Sequence, residues 1–334
     1  MEMTVVGAGV AGLTCAVALA EQGVRVQVLE RASSLGSNCS WYAGGMLAPW
    51  CELERAEPLI AQLGMRGIEW WQARVPHMAR TGTLVVAHGR DSGELARFAR
   101  HTGQCRTLDT EGIASLEPDL AGRFRQGLFY ADEAHLDPRL ALQALAERLS
   151  SLGGSIRFGV EHTTQPSSSP WVDCRGLAAR DALPSLRGVK GEMLLLRTRE
   201  ITLSRPVRVL HPRFPLYVVP RGDGVFMIGA TSIESDDIQR ITARSVMELL
   251  GTAYTLHPAF AEAEIVELGT HARPAFPHNN PQLLWRNGAL CVNGLYRHGY
   301  LIAPALAEMA VQVLLHQRHF PEVMDEDSRE RRAS

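Results

Sequence analysis

The sequence predicts an α/β chain (α+β in overall composition) of two interleaved domains, one built on a parallel sheet and the other on a mostly antiparallel one. Three observations carry that prediction. A strand, a glycine-rich turn and a helix open the chain; strand–helix alternation then breaks off; and four β-like runs crowd into residues 192–228 before helical patterning returns. At 334 residues the chain is long enough for about two domains.

The apolar run Met3-Thr4-Val5-Val6 leads directly into Gly7-Ala8-Gly9-Val10-Ala11-Gly12. Gly7 permits the tight turn, Gly9 lets backbone approach a pyrophosphate, and Gly12 allows the following helix to pack on the strand. Val10 and Ala11 open that helix, whose free N–H groups and positive dipole end suit phosphate. Val24 to Leu29 alternates as a second strand and delivers Glu30, followed by Arg31, to the reach of a ribose. Together these features read as a Rossmann-like dinucleotide site, with NAD and FAD both open at this point.

Further along, Glu57 to Arg74 has helical spacing, Thr81 to Ala87 reads as a strand, Asp91 to His101 as a helix, and Gly127 to Tyr130 as a short strand. Asp137-Pro138 is a helix start, an Asp cap followed by Pro in the first turn, and Gly153-Gly154 stops that helix. Thr163 to Pro170 is a polar turn, after which Trp171 to Arg175 reads as a strand ending at Gly176 and returning to the nucleotide domain. Glu192–Arg197, Val207–Leu210, Leu216–Val219 and Val225–Ile228 follow as antiparallel strands, and a helix covers about Thr242 to Leu256. The strand Ala289 to Asn293 then leads through Gly294 and Gly299 into a helix from about Pro304 to His316, and the charged tail after Phe320 is expected to fray. Such interleaving points to a flavin rather than a nicotinamide.

Composition excludes several classes. Hydrophobic residues make up 46% and charged residues 21%, and the net charge of −2 is evenly spread, which gives no footprint for nucleic acid or an anionic membrane. Val10 to Ala20, the most apolar stretch on this reading, falls short of a membrane span. With no signal peptide ahead of the first strand, the expected location is cytoplasmic. Six cysteines lack CxxC spacing and twelve histidines lack HxxxH or HExxH spacing, so no metal site is expected and the thiols are expected to be reduced.

Five further stations accompany the glycine turn: Tyr42-Ala43-Gly44-Gly45-Met46-Leu47-Ala48-Pro49 with Cys51-Glu52; Val189-Lys190-Gly191-Glu192; Tyr217-Val218-Val219-Pro220-Arg221 with Ile228-Gly229-Ala230-Thr231; Ala272-Arg273-Pro274; and Tyr296-Arg297-His298-Gly299-Tyr300-Leu301-Ile302-Ala303-Pro304. In this order, over nearly the whole length, the chain resembles the D-amino acid oxidase superfamily of FAD enzymes, and within it the glycine oxidases of thiamin biosynthesis.

The resemblance implies non-covalent FAD in a domain of residues 1–76, 131–186 and 270–334, with a substrate domain of 77–130 and 187–269. Ala43, Gly44, Gly45 and Met46 would lie against the isoalloxazine ring. Arg297, His298, Gly299, Tyr300, Leu301 and Ile302 would hold the opposite edge, where a helix start favours negative charge on the reduced ring. Arg273 and Tyr217 look like a carboxylate clamp, a bidentate fork joined by a hydroxyl. Arg297 resembles a second active-site arginine, and Met46 completes the expected catalytic set.

The implied reaction is oxidative deamination of glycine by O2 to an imine or glyoxylate, ammonia and hydrogen peroxide, requiring no acid–base side chain because orientation and electrostatics suffice. A homo-oligomer and a link to thiazole synthase are expected. Sarcosine, another secondary amine or a small D-amino acid as substrate, a dehydrogenase acceptor, an NAD-dependent reductase, and a non-catalytic flavoprotein subunit are the alternatives. Pro215 and Ser232 depart from the histidine and methionine of some glycine oxidases, which bears on substrate choice.

Overall fold

The computed structural model describes residues 1–162 and 171–325. The expected turn at Thr163–Pro170 and the end of the expected tail, 326–334, lie outside the described residues.

Six strands form the first sheet, in the order Gln282–Arg286, Ala289–Asn293, Trp171–Asp173, Glu2–Val6, Arg25–Glu30 and Ser155–Phe158. Each neighbouring pair is parallel except the hairpin of the first two. The opening strand thus lies centrally, and the return at Trp171 pairs directly beside it.

The second sheet has nine strands and is mostly antiparallel. Arg187–Arg197 is a long strand next to its edge, pairing with Val225–Gly229 and Ile233–Glu234 on one side and with Glu264–Ala275 on the other. Leu216–Pro220, Val207–Leu210, Thr83–Ala87, Gln126–Tyr130 and Arg106–Asp109 continue it outward. The strand Glu264–Ala275 was not expected, and it runs across the 269/270 junction. Pro274 sits in it without disrupting pairing, because the strand borders the sheet and one edge needs no N–H donor.

The helix Val10–Ala20 is buried along almost its whole length. Asp137 caps the helix Pro138–Ser151, accepting from Arg139 N at 2.7 Å. The last helix begins at Gly299, five residues earlier than expected, and Pro304 lies inside it. Proline has no N–H to give the carbonyl four residues back, and Trp71 Nε1 donates to that carbonyl, Tyr300 O, at 2.7 Å instead. The helix Pro58–Gln72 comes close enough to do this because Gly64 and Gly67 face Leu301; a Cβ at Gly64 would stand 2.7 Å from Leu301 Cδ1, and one at Gly67 would overlap Leu301 O.

The segment Tyr296–His316, not Val10–Ala20, is the apolar stretch with the length and composition to cross a membrane; its mean hydropathy is 1.3, and 72% of it is buried within the protein. The start of the tail is docked rather than frayed. Val323 and Met324 are buried, Val323 O accepts from Leu283 N at 2.7 Å, and Asp325 pairs with Arg286.

Candidate active site

A cavity of about 1160 Å³ runs from the glycine turn to the second sheet. Its walls include Gly7, Gly9, Val10 and Ala11 at one end, Glu30 and Arg31 beside them, Ala43 to Met46 and Gly176 along the middle, and Tyr217, Arg273 and Arg297 to Leu301 at the other end. Most residues singled out from sequence therefore meet in one space, although the first and last are nearly 300 positions apart.

Two do not line it. Gly12 works by packing: a Cβ there would overlap Gly7 O, so the residue lets the helix sit against the turn. Ile302, expected beside the flavin, is buried in the core with the apolar face of the last helix. The last helix packs against Val10–Ala20, and Ile302 belongs to their shared core.

The turn is built by mutual necessity. Gly7 has φ +102°, and a Cβ would come within 2.6 Å of Cys174 O. Glu30 braces it from the second strand, its Oε2 accepting from Ala8 N at 2.7 Å and its Oε1 from Ala32 N at 3.0 Å. Ser40, not foreseen, accepts from Val10 N at 3.0 Å and stands 3.2 Å from where a Gly9 Cβ would be. No side chain caps the first turn of the helix at Gly299, which faces the same cavity.

At the far end, Tyr217 is wedged between two glycines; a Cβ at Gly44 would lie 2.8 Å from its ring and one at Gly229 would lie 2.9 Å away. Tyr217 pairs in register with Gly229. The Arg273 guanidinium occupies the space above Gly191, where any Cβ would overlap it, and donates through Nη1 to Thr231 O at 3.2 Å. Thr231 is itself fixed by Glu192, accepting from its N at 2.9 Å and donating to its Oε2 at 3.1 Å. Arg273 has no carboxylate partner among the described residues.

Arg297 differs in this respect. Its Nε lies 3.0 Å from Glu52 Oε2, and Glu52 also faces His298 at 3.2 Å and Arg208 at 3.4 Å. Burial alone would raise the Glu52 carboxyl, but Arg297, His298 and Arg208 outweigh it and hold it well below the usual range. The Glu52 carboxylate in turn raises the Arg297 guanidinium. Met46 packs with Met193, Val219 and Met227 beside Tyr217. Pro215 and Ser232 both line the cavity, with Ser232 Oγ lying 3.5 Å from Tyr296 OH.

All six cysteines are free thiols. Among the described residues there is no cluster of His, Cys, Asp and Glu able to hold a metal ion.

A model of the FAD dependent oxidoreductase family, DAO, matches residues 2–313. The chain belongs to this family. It is 54% identical to the thiamine biosynthesis oxidoreductase ThiO of Rhizobium etli over 96% of this chain and 99% of that one. It is 29% identical to the glycine oxidase of Geobacillus kaustophilus over 91% of this chain and 90% of that protein. A match of 28% to the bifunctional protein ThiO/ThiG of Synechocystis covers 96% of this chain and 52% of that longer protein. The fold agrees: a crystal structure of glycine oxidase from Geobacillus kaustophilus superposes with a TM-score of 0.81, covering 97% of this chain and 98% of that one at 24% identity. The cavity fits the FAD of this family. It combines a glycine turn that side chains would fill, a helix N-terminus behind it, and a second helix start at the far end.

Proposed function

We propose that this FAD dependent oxidoreductase oxidises glycine to its imine, passing the electrons to O2 and releasing hydrogen peroxide, in service of thiamin biosynthesis. The single observation that carries the reading is Arg273: a guanidinium without a carboxylate partner among the described residues, in the same cavity as the dinucleotide turn. An arginine so placed is suited to a substrate carboxylate.

FAD, when bound, supplies the two-electron acceptor and its reoxidation by oxygen. The remaining tasks fall to the chain. Arg273 takes the carboxylate, fixed from behind by Thr231 and from below by the missing side chain of Gly191. Tyr217 adds its hydroxyl, and its ring is locked by Gly44 and Gly229. Arg297 is neutralised by Glu52 and shapes the wall. With the carboxylate anchored, the amine must be neutral and the Cα–H aimed at the acceptor, so positioning performs the work that a base performs elsewhere.

Gly7, Gly9, Val10, Ala11, Glu30, Arg31 and Gly176 would hold the nucleotide half, and Ala43 to Met46 with Arg297 to Leu301 the ring half. In this reading residues 1–76, 131–186 and 270–334 carry FAD, while 77–130 and 187–269 carry the substrate sheet. The ThiO/ThiG protein of Synechocystis supports a functional link to a thiazole synthase, and we place the enzyme in the cytoplasm as a homo-oligomer.

Pro215 and Ser232 leave sarcosine as the competing substrate, since both alter the cavity wall. Peroxide release by the holoenzyme from glycine, sarcosine and D-alanine decides: glycine is expected to give the highest kcat/KM, and faster turnover of sarcosine or D-alanine would overturn the choice.

A further inference from the structure

Arg221 lies outside the cavity, behind the segment that forms its middle wall. It closes the Tyr217–Arg221 station, for which the substrate clamp offers no use. Its side chain is only 8% exposed, and its Nε faces Asp137 Oδ2 at 3.6 Å. Nη1 donates to Leu136 O at 2.8 Å, and Nη2 donates to Ala43 O at 3.2 Å and to Gly44 O at 2.8 Å.

A trans peptide holds its C=O and N–H on opposite sides. When the carbonyls of Ala43 and Gly44 turn back to Arg221, the N–H groups of Gly44 and Gly45 turn the other way, toward the cavity that both residues line. Neither N–H has an acceptor among the described residues. The third carbonyl in the row, Gly45 O, accepts from Leu136 N at 2.9 Å, which fixes the far end of the segment. Gly45 makes the row possible, with φ +68° and no room for a Cβ beside Leu136 O.

We propose that Arg221 is a positioning residue for the flavin: by gathering the Ala43 and Gly44 carbonyls it aims two backbone donors at the acceptor edge of the isoalloxazine. The inference rests on the reading that this cavity holds FAD. Preorganised donors favour the electron-rich reduced ring over the oxidised one, so Arg221 raises the reduction potential without touching the flavin. Asp137 compensates the buried guanidinium and also caps the following helix, which joins the segment to a rigid element.

The test uses R221M and R221K, with FAD binding to the apoproteins and the flavin midpoint potential as readouts. R221M is expected to bind FAD at least tenfold more weakly and to have a more negative potential, because its Gly44 and Gly45 peptides are released. R221K, which retains the charge but not the fork, is expected to fall between R221M and wild type. Should R221M fail to fold, R221K carries the test alone, read against a circular dichroism spectrum matching wild type. A folded R221K or R221M with wild-type affinity and potential would overturn the proposal. Failure of the wild-type apoprotein itself to bind FAD would instead overturn the assignment of the cavity.

Discussion

Arg297 and Glu52 form an ion pair at 3.0 Å across 245 positions of sequence, on the wall of the cavity that also holds Arg273. The two arginines are therefore electrostatically unequal. Arg297 is matched, whereas Arg273 presents an uncompensated charge to the cavity.

Glu52→Gln removes the carboxylate that compensates Arg297, while Arg208 keeps Glu54 at 3.2 Å. The expected loss is about 2–3 kcal/mol at neutral pH, since breaking a largely buried pair strands the remaining charge. The pH dependence has a definite sign. The Glu52 carboxyl is depressed in the folded state, so its contribution is present above the unfolded value of 4.5 and disappears as pH falls through the folded one. Thermal unfolding across pH 3 to 7 is expected to show a shallower acid limb in the variant, and parallel curves would contradict the pairing.

Arg273→Ala is expected to raise KM about 100-fold, roughly 3 kcal/mol, with FAD content unchanged, because a charge-assisted contact to substrate is lost while the nucleotide end is untouched. Gly191→Ala tests the same contact from below. Its methyl group must displace the guanidinium, so KM is expected to rise at least tenfold with Arg273 still in place. Steady-state kinetics beside flavin spectra check both, and unchanged KM in either variant would contradict the clamp.

Gly9→Val is expected to abolish FAD retention, since even the first carbon meets Ser40 Oγ at 3.2 Å and the branches would extend into the turn. The flavin-to-protein absorbance ratio after purification measures this.

Glu133 gives a second pH signature, from behind the segment that carries Glu52. It is fully buried, and burial foremost pushes its carboxyl up to about 7, while its Oε1 accepts from Trp50 N at 3.1 Å and Cys51 N at 2.8 Å. Between pH 4.5 and 7 the folded state keeps a proton that the unfolded chain releases, so stability falls as pH rises through that window. Glu133→Gln keeps the acceptor and removes the ionisation. It is expected to exceed wild type by up to about 3 kcal/mol at pH 8 and to match it at pH 4, as read by denaturant unfolding.

The parts legible in the sequence were those enforced locally. Gly7, Gly9 and Gly12 form one short motif whose spacing is read directly, Gly12 answers a clash with Gly7 O five residues back, and Asp137-Pro138 caps its own helix. The parts that were not legible depend on distant partners. Pro304 reads as a helix start, yet it lies inside a helix because Trp71 replaces the hydrogen bond it forfeits. Glu264–Ala275 hides its strand character because exposed and buried positions do not alternate cleanly and Pro274 interrupts the pattern. Ser40 carries no motif of its own and acts only once its segment folds back onto Val10, while Glu52 and Thr231 stand in recognised stations but take their roles from Arg297 and Arg273, which the fold brings beside them.

The central claim, that the cavity holds FAD poised to oxidise glycine bound through Arg273, is tested most directly by anaerobic titration of the holoenzyme with glycine. Bleaching of the yellow flavin band, with restoration on admitting oxygen and no bleaching of Arg273→Ala at the same glycine concentration, is the predicted result. A flavin band that glycine leaves unchanged in wild type, or bleaches equally in wild type and Arg273→Ala, would contradict it.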